Sequence, residues 1–271
     1  MAMSNSASLP AAGRIRVEID GPIATLVIDN PARRNALNFA MWQQLGDALD
    51  QLESDSTVRC IVVRGEGGKA FASGADISEF DAMRSSPEAV NTYNLACERA
   101  MDRLSEIAKP TIAMIEGFCV GGGMALAVSC DIRIAAMDAR FAIPAAKLGV
   151  GYDYPGISRL VSIVGPSRAK EIFFTARLFE AAEVRDMNLI NTLVAPGALA
   201  ATVAETAALI AGNAPLTIAA IKLAVTTATA EPGTRDLAAC HAAELACFQS
   251  EDYAEGRKAF AEKRKPVFRG K

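Results

Sequence analysis

Residues 116–131 read Glu-Gly-Phe-Cys-Val-Gly-Gly-Gly-Met-Ala-Leu-Ala-Val-Ser-Cys-Asp. Before them, residues 110–115 form an apolar run long enough for a buried strand. After the glycines, residues 124–128 have the composition of a tightly packed helix. Gly121, Gly122 and Gly123 sit at the junction, where a chain without Cβ atoms can approach a ligand closely. A helix beginning there leaves unpaired N–H groups at the positive end of its dipole. Such a corner suits an anion, or an oxygen that becomes anionic during a reaction. Taken alone, the stretch also reads as a flexible turn with close helix–strand packing. It is not a phosphate loop, because no Gly-Lys-Ser/Thr follows. Nor does it have the Gly-x-Gly-x-x-Gly spacing of a dinucleotide fingerprint.

Upstream, residues 70–77 read Ala-Phe-Ala-Ser-Gly-Ala-Asp-Ile. Gly74 allows close backbone approach, and the pattern predicts a helix starting near Asp76, with Asp76 as its N-cap. Two such corners, each after a strand, can aim two N–H donors at one oxygen. Residues 14–20 and 23–29 read as a hairpin. Helices are predicted from Asn38 through Leu52 and over 87–107, 155–164, 167–177 and 181–187. Strands are predicted at 59–64, 131–136 and 189–195. From Leu199 onward the pattern is helical only, over about 199–211, 215–229, 234–249 and 252–263. Its apolar stripe (Leu216, Ile218, Ile221, Leu223, Val225) calls for burial against the core or another subunit.

The 271 residues, 51% of them hydrophobic, suffice for one large domain or a domain with an appendage. No apolar run approaches the ~20 residues of a membrane span. Residues 1–12 show no secretory pattern and read as a loose tail. The net charge of −3 argues against general nucleic-acid binding. None of the six cysteines forms a Cys-x-x-Cys pair, so buried reduced thiols in a cytoplasmic protein are expected. His241 is the only histidine. That argues against a Ser-His-Asp or multi-histidine metal mechanism. His241 shares a helix face with Leu237, Glu244 and Phe248 and reads as a packing residue.

The 70–77 segment is similar to the first oxyanion-hole motif of the enoyl-CoA hydratase/isomerase (crotonase) superfamily, and Gly-Phe-Cys-Val-Gly-Gly-Gly-Met-Ala-Leu-Ala…Cys-Asp looks like its second. Asn30-Pro31…Asn35-Ala36-Leu37, Lys109-Pro110, the strand after Asp131, and Glu262-Lys263-Arg264-Lys265-Pro266 fit the same family in order, over roughly residues 14–268. The resemblance implies an α/β fold, a crotonase-like spiral of strand–strand–helix turns over 14–195, after a loose tail at 1–13. A C-terminal helical trimerisation region would cover 196–271. It implies an acyl-CoA substrate, no metal or separate cofactor, no nucleic-acid or membrane partner, and a homotrimer or dimer of trimers. The amides of Ala75 and Gly122 would bind the thioester oxygen. Arg34, Lys69, Asp76 and Ile77 would contact coenzyme A. Phe260 and Lys263 would reach a neighbouring subunit's coenzyme A. For the basic groups, solvated surface charge is the competing reading.

The sequence departs from the family at the chemistry. Hydratases of the family place one glutamate two residues after the triple glycine and a second after the proline that follows the Phe-Ala segment. Here those positions are Ala125 and Ala145. A carboxylate pair positions water and exchanges its protons, and alanine does neither. Decarboxylase-, isomerase- or other lyase-type chemistry is therefore expected over hydration. Tyr152 aligns with a tyrosine of family decarboxylases. Asp153 aligns with the nucleophilic aspartate of aryl-CoA dehalogenases, whose usual histidine would fall near Glu98. Asp153 also reads as a helix cap and Tyr152 as a packing residue. Glu79, Asp81 and Glu98 are further carboxylates within reach of a pocket. The alternatives are a CoA-ester-binding protein without turnover, a dehalogenase-like hydrolase using Asp153 and, more remotely, an RNA-binding protein.

Overall fold

The computed structural model describes residues 13–79 and 85–271. The tail expected at 1–13 lies, apart from Gly13, outside the described residues, as does Asp81. The hairpin forms as expected from β1 (Arg14–Asp20) and β2 (Ile23–Asp29). Helix α1 (Phe39–Ser54) starts at Asn38, whose side chain accepts from the Met41 amide at 2.8 Å. The buried stripe of α1, Met41, Trp42, Leu45, Leu49 and Leu52, keeps helical spacing. Next come β3 (Cys60–Gly65), β4 (Ala70–Ala72) and α2 (Pro87–Glu106). Helix α2 is capped by the Ser86 hydroxyl, which accepts from the Ala89 amide. Then follow β5 (Thr111–Ile115), β6 (Phe118–Val120), α3 (Gly122–Ser129), β7 (Ile132–Ala136) and β8 (Arg140–Ala142). Beyond them lie α4 (Ala145–Leu148), α5 (Tyr154–Thr175), β9 (Phe179–Glu180), α6 (Ala181–Asp186) and β10 (Thr192–Val194). The C-terminal region is α7 (Leu199–Ala211), α8 (Pro215–Thr229), α9 (Leu237–Gln249) and α10 (Glu251–Ala261).

From β3 to β8 the strands alternate between two sheets. One runs β1-β2-β3-β5-β7-β10, parallel except for the β1–β2 pair. The other runs β4-β6-β8-β9, with β4, β6 and β8 parallel. Each of the turns β3–β4, β5–β6 and β7–β8 thus gives its first strand to one sheet and its second to the other before a helix returns the chain, which makes the fold a spiral of strand–strand–helix turns. Pleat alternation explains why β3 reads as a continuous apolar run. Ile61 and Val63 join the large core under α1, while Cys60 and Val62 face Leu199, Val203 and Ala207 of α7. Helix α7 therefore closes the outer face of the larger sheet. Helix α8 is pinned to the spiral by Lys222, whose Nζ donates to Asp131 Oδ2 at 2.8 Å and to the Lys109 carbonyl at 3.1 Å.

Beyond α7 the tail is open. Ile221, Val225, Leu237, Phe248 and Phe260 are exposed. All of these but Val225, together with His241, line a groove of about 900 Å³ between the tail helices. His241 therefore corrects the expectation. It does share a face with Leu237, Glu244 and Phe248, but that face borders a groove, and its side chain is 69% exposed beside Glu244. No single helix among the described residues is long and apolar enough to cross a membrane. All six cysteines are free thiols.

The closest approach between the two glycine corners is at Gly123, where a Cβ would stand 2.3 Å from the Ala72 carbonyl oxygen. Gly123→Ala is expected to destabilise the protein by ~1–3 kcal/mol through overpacking. Urea unfolding of the variant against wild type measures the loss.

Candidate active site

The segment at 73–76 is zipped along the loop at 33–37. The Ser73 amide donates to the Arg34 carbonyl at 3.1 Å, the Leu37 amide to the Gly74 carbonyl at 2.8 Å, and the Asp76 amide to the Leu37 carbonyl at 2.8 Å. In this parallel bridge between Leu37 and Ala75 the neighbours of Ala75 make the bonds, so the N–H of Ala75 itself points away from Leu37. Gly74 takes φ +107, a conformation that a side chain would strain. Buried Asn35 fixes this loop to β4. Its amide nitrogen donates to the carbonyls of Ala70 at 2.7 Å and Glu66 at 2.9 Å, and its oxygen accepts from the Asn30 amide.

The second corner is the start of α3. The Gly121 amide donates to the Ala142 carbonyl at 2.9 Å, and the next free donor is Gly122. A Cβ on Gly122 would lie 3.7 Å from the Ala75 nitrogen, and one on Gly74 would lie 3.7 Å from the Gly122 nitrogen. The two amides therefore occupy one small neighbourhood, and both residues line one cavity of about 230 Å³. Neither amide has an acceptor among the described residues. Two free donors this close can share an anionic oxygen, and the N-terminal dipole of α3 adds to the field. At the other end of α3, buried Arg133 donates to the carbonyls of Cys130 at 2.7 Å and Ala127 at 3.3 Å, capping the helix with a cation. Burial lowers the Arg133 pKa, partly offset by Asp131. Trp42 seats the corner. Its ring lies 3.1 Å from where a Gly122 Cβ would be, and its Nε1 donates to the Tyr93 hydroxyl at 3.1 Å.

Ala125 and Ala145 both line this cavity, as do Glu98, Tyr152 and Asp153. Tyr152 is half-buried, edge-on to Phe173 at 4.9 Å between centroids. Desolvation, reinforced by the nearby Asp153 charge, raises its phenol pKa well above the ordinary value, so the hydroxyl is a neutral donor. Asp153 caps α5, its Oδ2 accepting from the Gly156 amide at 2.9 Å. Glu79 is drawn elsewhere, accepting from the Phe39 amide at 2.8 Å at the start of α1.

Asp76 is a cap, as expected: its carboxylate accepts from the Ser78 amide and hydroxyl at the start of a 3-10 turn, Ile77–Glu79, and the residues beyond, where a helix would continue, lie outside the described residues. It also pairs with Arg33 at 2.6 Å. Burial alone would raise its pKa. The bonds from Ser78 and Arg33 outweigh that and hold it below the usual 3.8. Arg33 was not singled out in the sequence, and only its place beside a buried acid gives it meaning. Ile77 lines the cavity and is 65% exposed.

Arg34 and Lys69 lie away from the cavity lining but share one edge. The Arg34 guanidinium sits 5.1 Å from the Phe118 ring centroid, and the Lys69 carbonyl accepts from the Phe118 amide. Phe260 is 88% exposed on the tail groove and, like Lys263, is not brought to the cavity within one chain. Among the described residues no cluster of three or more His, Cys, Asp or Glu side chains could hold a metal ion.

Comparison with known proteins agrees with this geometry. The sequence profile of the Enoyl-CoA hydratase/isomerase family matches residues 18–271. The short-chain-enoyl-CoA hydratase of Clostridium acetobutylicum is 35% identical over 249 residues, covering 92% of this chain and 95% of that protein. The mitochondrial Delta(3,5)-Delta(2,4)-dienoyl-CoA isomerase of Dictyostelium discoideum is 30% identical, covering 91% and 87%. A crystal structure of an enoyl-CoA hydratase/carnithine racemase from Magnetospirillum magneticum superposes with a TM-score of 0.89 at 38% identity, covering 95% and 96% of the two chains. The chain belongs to the enoyl-CoA hydratase/isomerase family and has its crotonase fold. It is an acyl-CoA enzyme of that superfamily.

Asp76→Asn is expected to cost ~2 kcal/mol at neutral pH, since it weakens charge-assisted bonds that hold the Ala75 loop. The folded-state pKa is depressed, so the carboxylate's contribution is present above the usual 3.8 and is lost as pH falls through the lower value. Denaturant unfolding at neutral and acid pH should show the gap between wild type and variant closing on the acid side.

Proposed function

We propose that this protein binds an acyl-CoA thioester with its carbonyl oxygen between the amides of Ala75 and Gly122, stabilises the enolate, and performs isomerase- or lyase-type chemistry other than hydration of a 2-enoyl thioester. The observation that carries the reading is that Ala125 and Ala145 both line the cavity of the two free amides. Hydration needs water held and deprotonated by one group while another delivers a proton, and a pair of methyl groups supplies neither function. The enolate survives this loss because backbone amides hold its charge, whatever the side chains around it.

Tyr152 is the polar group best placed to orient the acyl end, as a neutral donor. The capping bond of Asp153 favours a structural role over the nucleophilic one. Arg34, whose guanidinium lies over the Phe118 ring, and Lys69, whose backbone pairs with Phe118, suit the phosphates of coenzyme A, with Ile77 lining the cavity and Asp76 supporting its loop. Phe260 and Lys263 would serve a neighbouring subunit. The exposed apolar tail supports a homotrimer or dimer of trimers, and the free thiols fit a reducing cytoplasm.

Crotonyl-CoA is expected to lose little or no enoyl absorbance with wild type. The double variant Ala125→Glu/Ala145→Glu should gain hydration that neither single variant shows. Hydration by wild type at a rate ordinary for the family would overturn the reading. Ala75→Pro removes one donor without breaking the Leu37 bridge, which uses only the neighbours of Ala75. It should cut turnover by about 10²- to 10³-fold while leaving urea unfolding nearly unchanged.

A further inference from the structure

Tyr93, Asn94, Cys97, Glu98 and Met101 of α2 all line the cavity that holds the free amides of Ala75 and Gly122. Their spacing, i, i+1, i+4, i+5 and i+8, is one face of a helix, so α2 lays a continuous stripe along the cavity wall. Glu98 is the only charged residue in that stripe. It is half-buried, and its carboxylate has no hydrogen bond or ion pair among the described residues. The other carboxylate on the wall, Asp153, is held by the Gly156 amide. No Lys, Arg or His among the described residues lines the cavity.

The charges select the acyl group. A malonyl-type thioester would bring a third carboxylate into a space that holds two and offers no described cation. An uncharged chain meets mostly apolar walls, among them Met101, Ile143 and Val150. A carboxylate with no partner among the described residues, on the wall of the cavity that also holds donors for an enolate oxygen, suits a single-base proton transfer.

We propose that Glu98 is the catalytic acid–base residue of this cavity, and that the substrate is the CoA thioester of an uncharged, unsaturated acyl chain whose double bond it moves. The inference rests on the enolate reading above. A Glu98 carboxylate oxygen takes the α-proton of a 3-enoyl thioester. The C–H electron pair enters a dienolate whose charge rests on the thioester oxygen, facing the amides of Ala75 and Gly122. The carboxyl of Glu98 then returns the proton to the γ-carbon as the electrons move back, leaving a 2-enoyl thioester. No water, oxidant or other reactant is consumed.

The test uses the full chain with trans-3-hexenoyl-CoA. Absorbance of the 2-enoyl product and mass spectrometry of α-deuterium uptake in D2O are the readouts, with methylmalonyl-CoA as the charged comparison. Wild type should isomerise the enoyl thioester and leave methylmalonyl-CoA intact. Glu98→Gln should lower both readouts by about 10²- to 10⁴-fold with KM little changed. Glu98→Ala should recover part of the rate with added formate, a rescue that a merely structural role cannot give. If wild type and Glu98→Gln exchange deuterium equally, Glu98 is not the base and the enolate reading stands alone. No exchange by wild type on any thioester removes both. Decarboxylation of methylmalonyl-CoA with the enoyl thioester untouched would overturn the substrate class.

Discussion

The site depends on one steric contact, that of Gly123 with the carbonyl of Ala72. The start of α3 can lie against the end of β4 only because no side chain stands between them, since even a methyl group there would come within 2.3 Å of the carbonyl oxygen. That contact brings together two chain corners far apart in sequence and sets the distance between the amides of residues 75 and 122. The surroundings then fix their orientation. The Leu37 bridge turns the Ala75 amide outward, and the Gly121 bond to Ala142 leaves Gly122 as the first unpaired donor of α3. Donors held by backbone pairing need no reorganisation when charge develops on a bound oxygen.

The same economy explains the rest of the spiral. Strands β3, β5 and β7 are buried on both faces, because the larger core lies on one side and α7 on the other. The tail is tied back by Lys222, whose partner Asp131 also accepts from the amide and hydroxyl of Thr111 at the start of β5. The residue that joins tail to spiral thus acts at the strand preceding the glycine corner. Among the described residues, nothing covers the remaining apolar face of the tail.

Much of this was legible in the residues. The hairpin, the α1 cap at Asn38, α7 and α8 followed from periodicity, turn residues and capping. The two glycine corners were found from local composition. The second strand of each turn was not legible, because β4, β6 and β8 are three residues long and show no alternation that could separate them from loop. Only pairing with strands distant in sequence makes them strands. The capping role of Asp76 is legible locally, but its ion pair is not, because Arg33 stands 43 residues away. His241 was assigned to a core because an apolar helix face does not say what covers it. The pocket stripe of α2 keeps helical spacing, but nothing local says that this face borders a cavity while the opposite one meets solvent.

Replacing two glutamates by alanines changes more than the count of acids. A carboxylate pair draws water into a cavity, and water screens every charge there. With methyl groups at residues 125 and 145, that part of the cavity wall is apolar, and the carboxylates on it are those of Glu98 and Asp153. Burial likewise raises the Tyr152 phenol pKa above its ordinary value. On the proposed reading, the two amides would serve a negative oxygen without help from those side chains. On the same reading, the enolate charge would fall on backbone donors and the proton transfers on Glu98, the carboxylate on the cavity wall without a partner among the described residues.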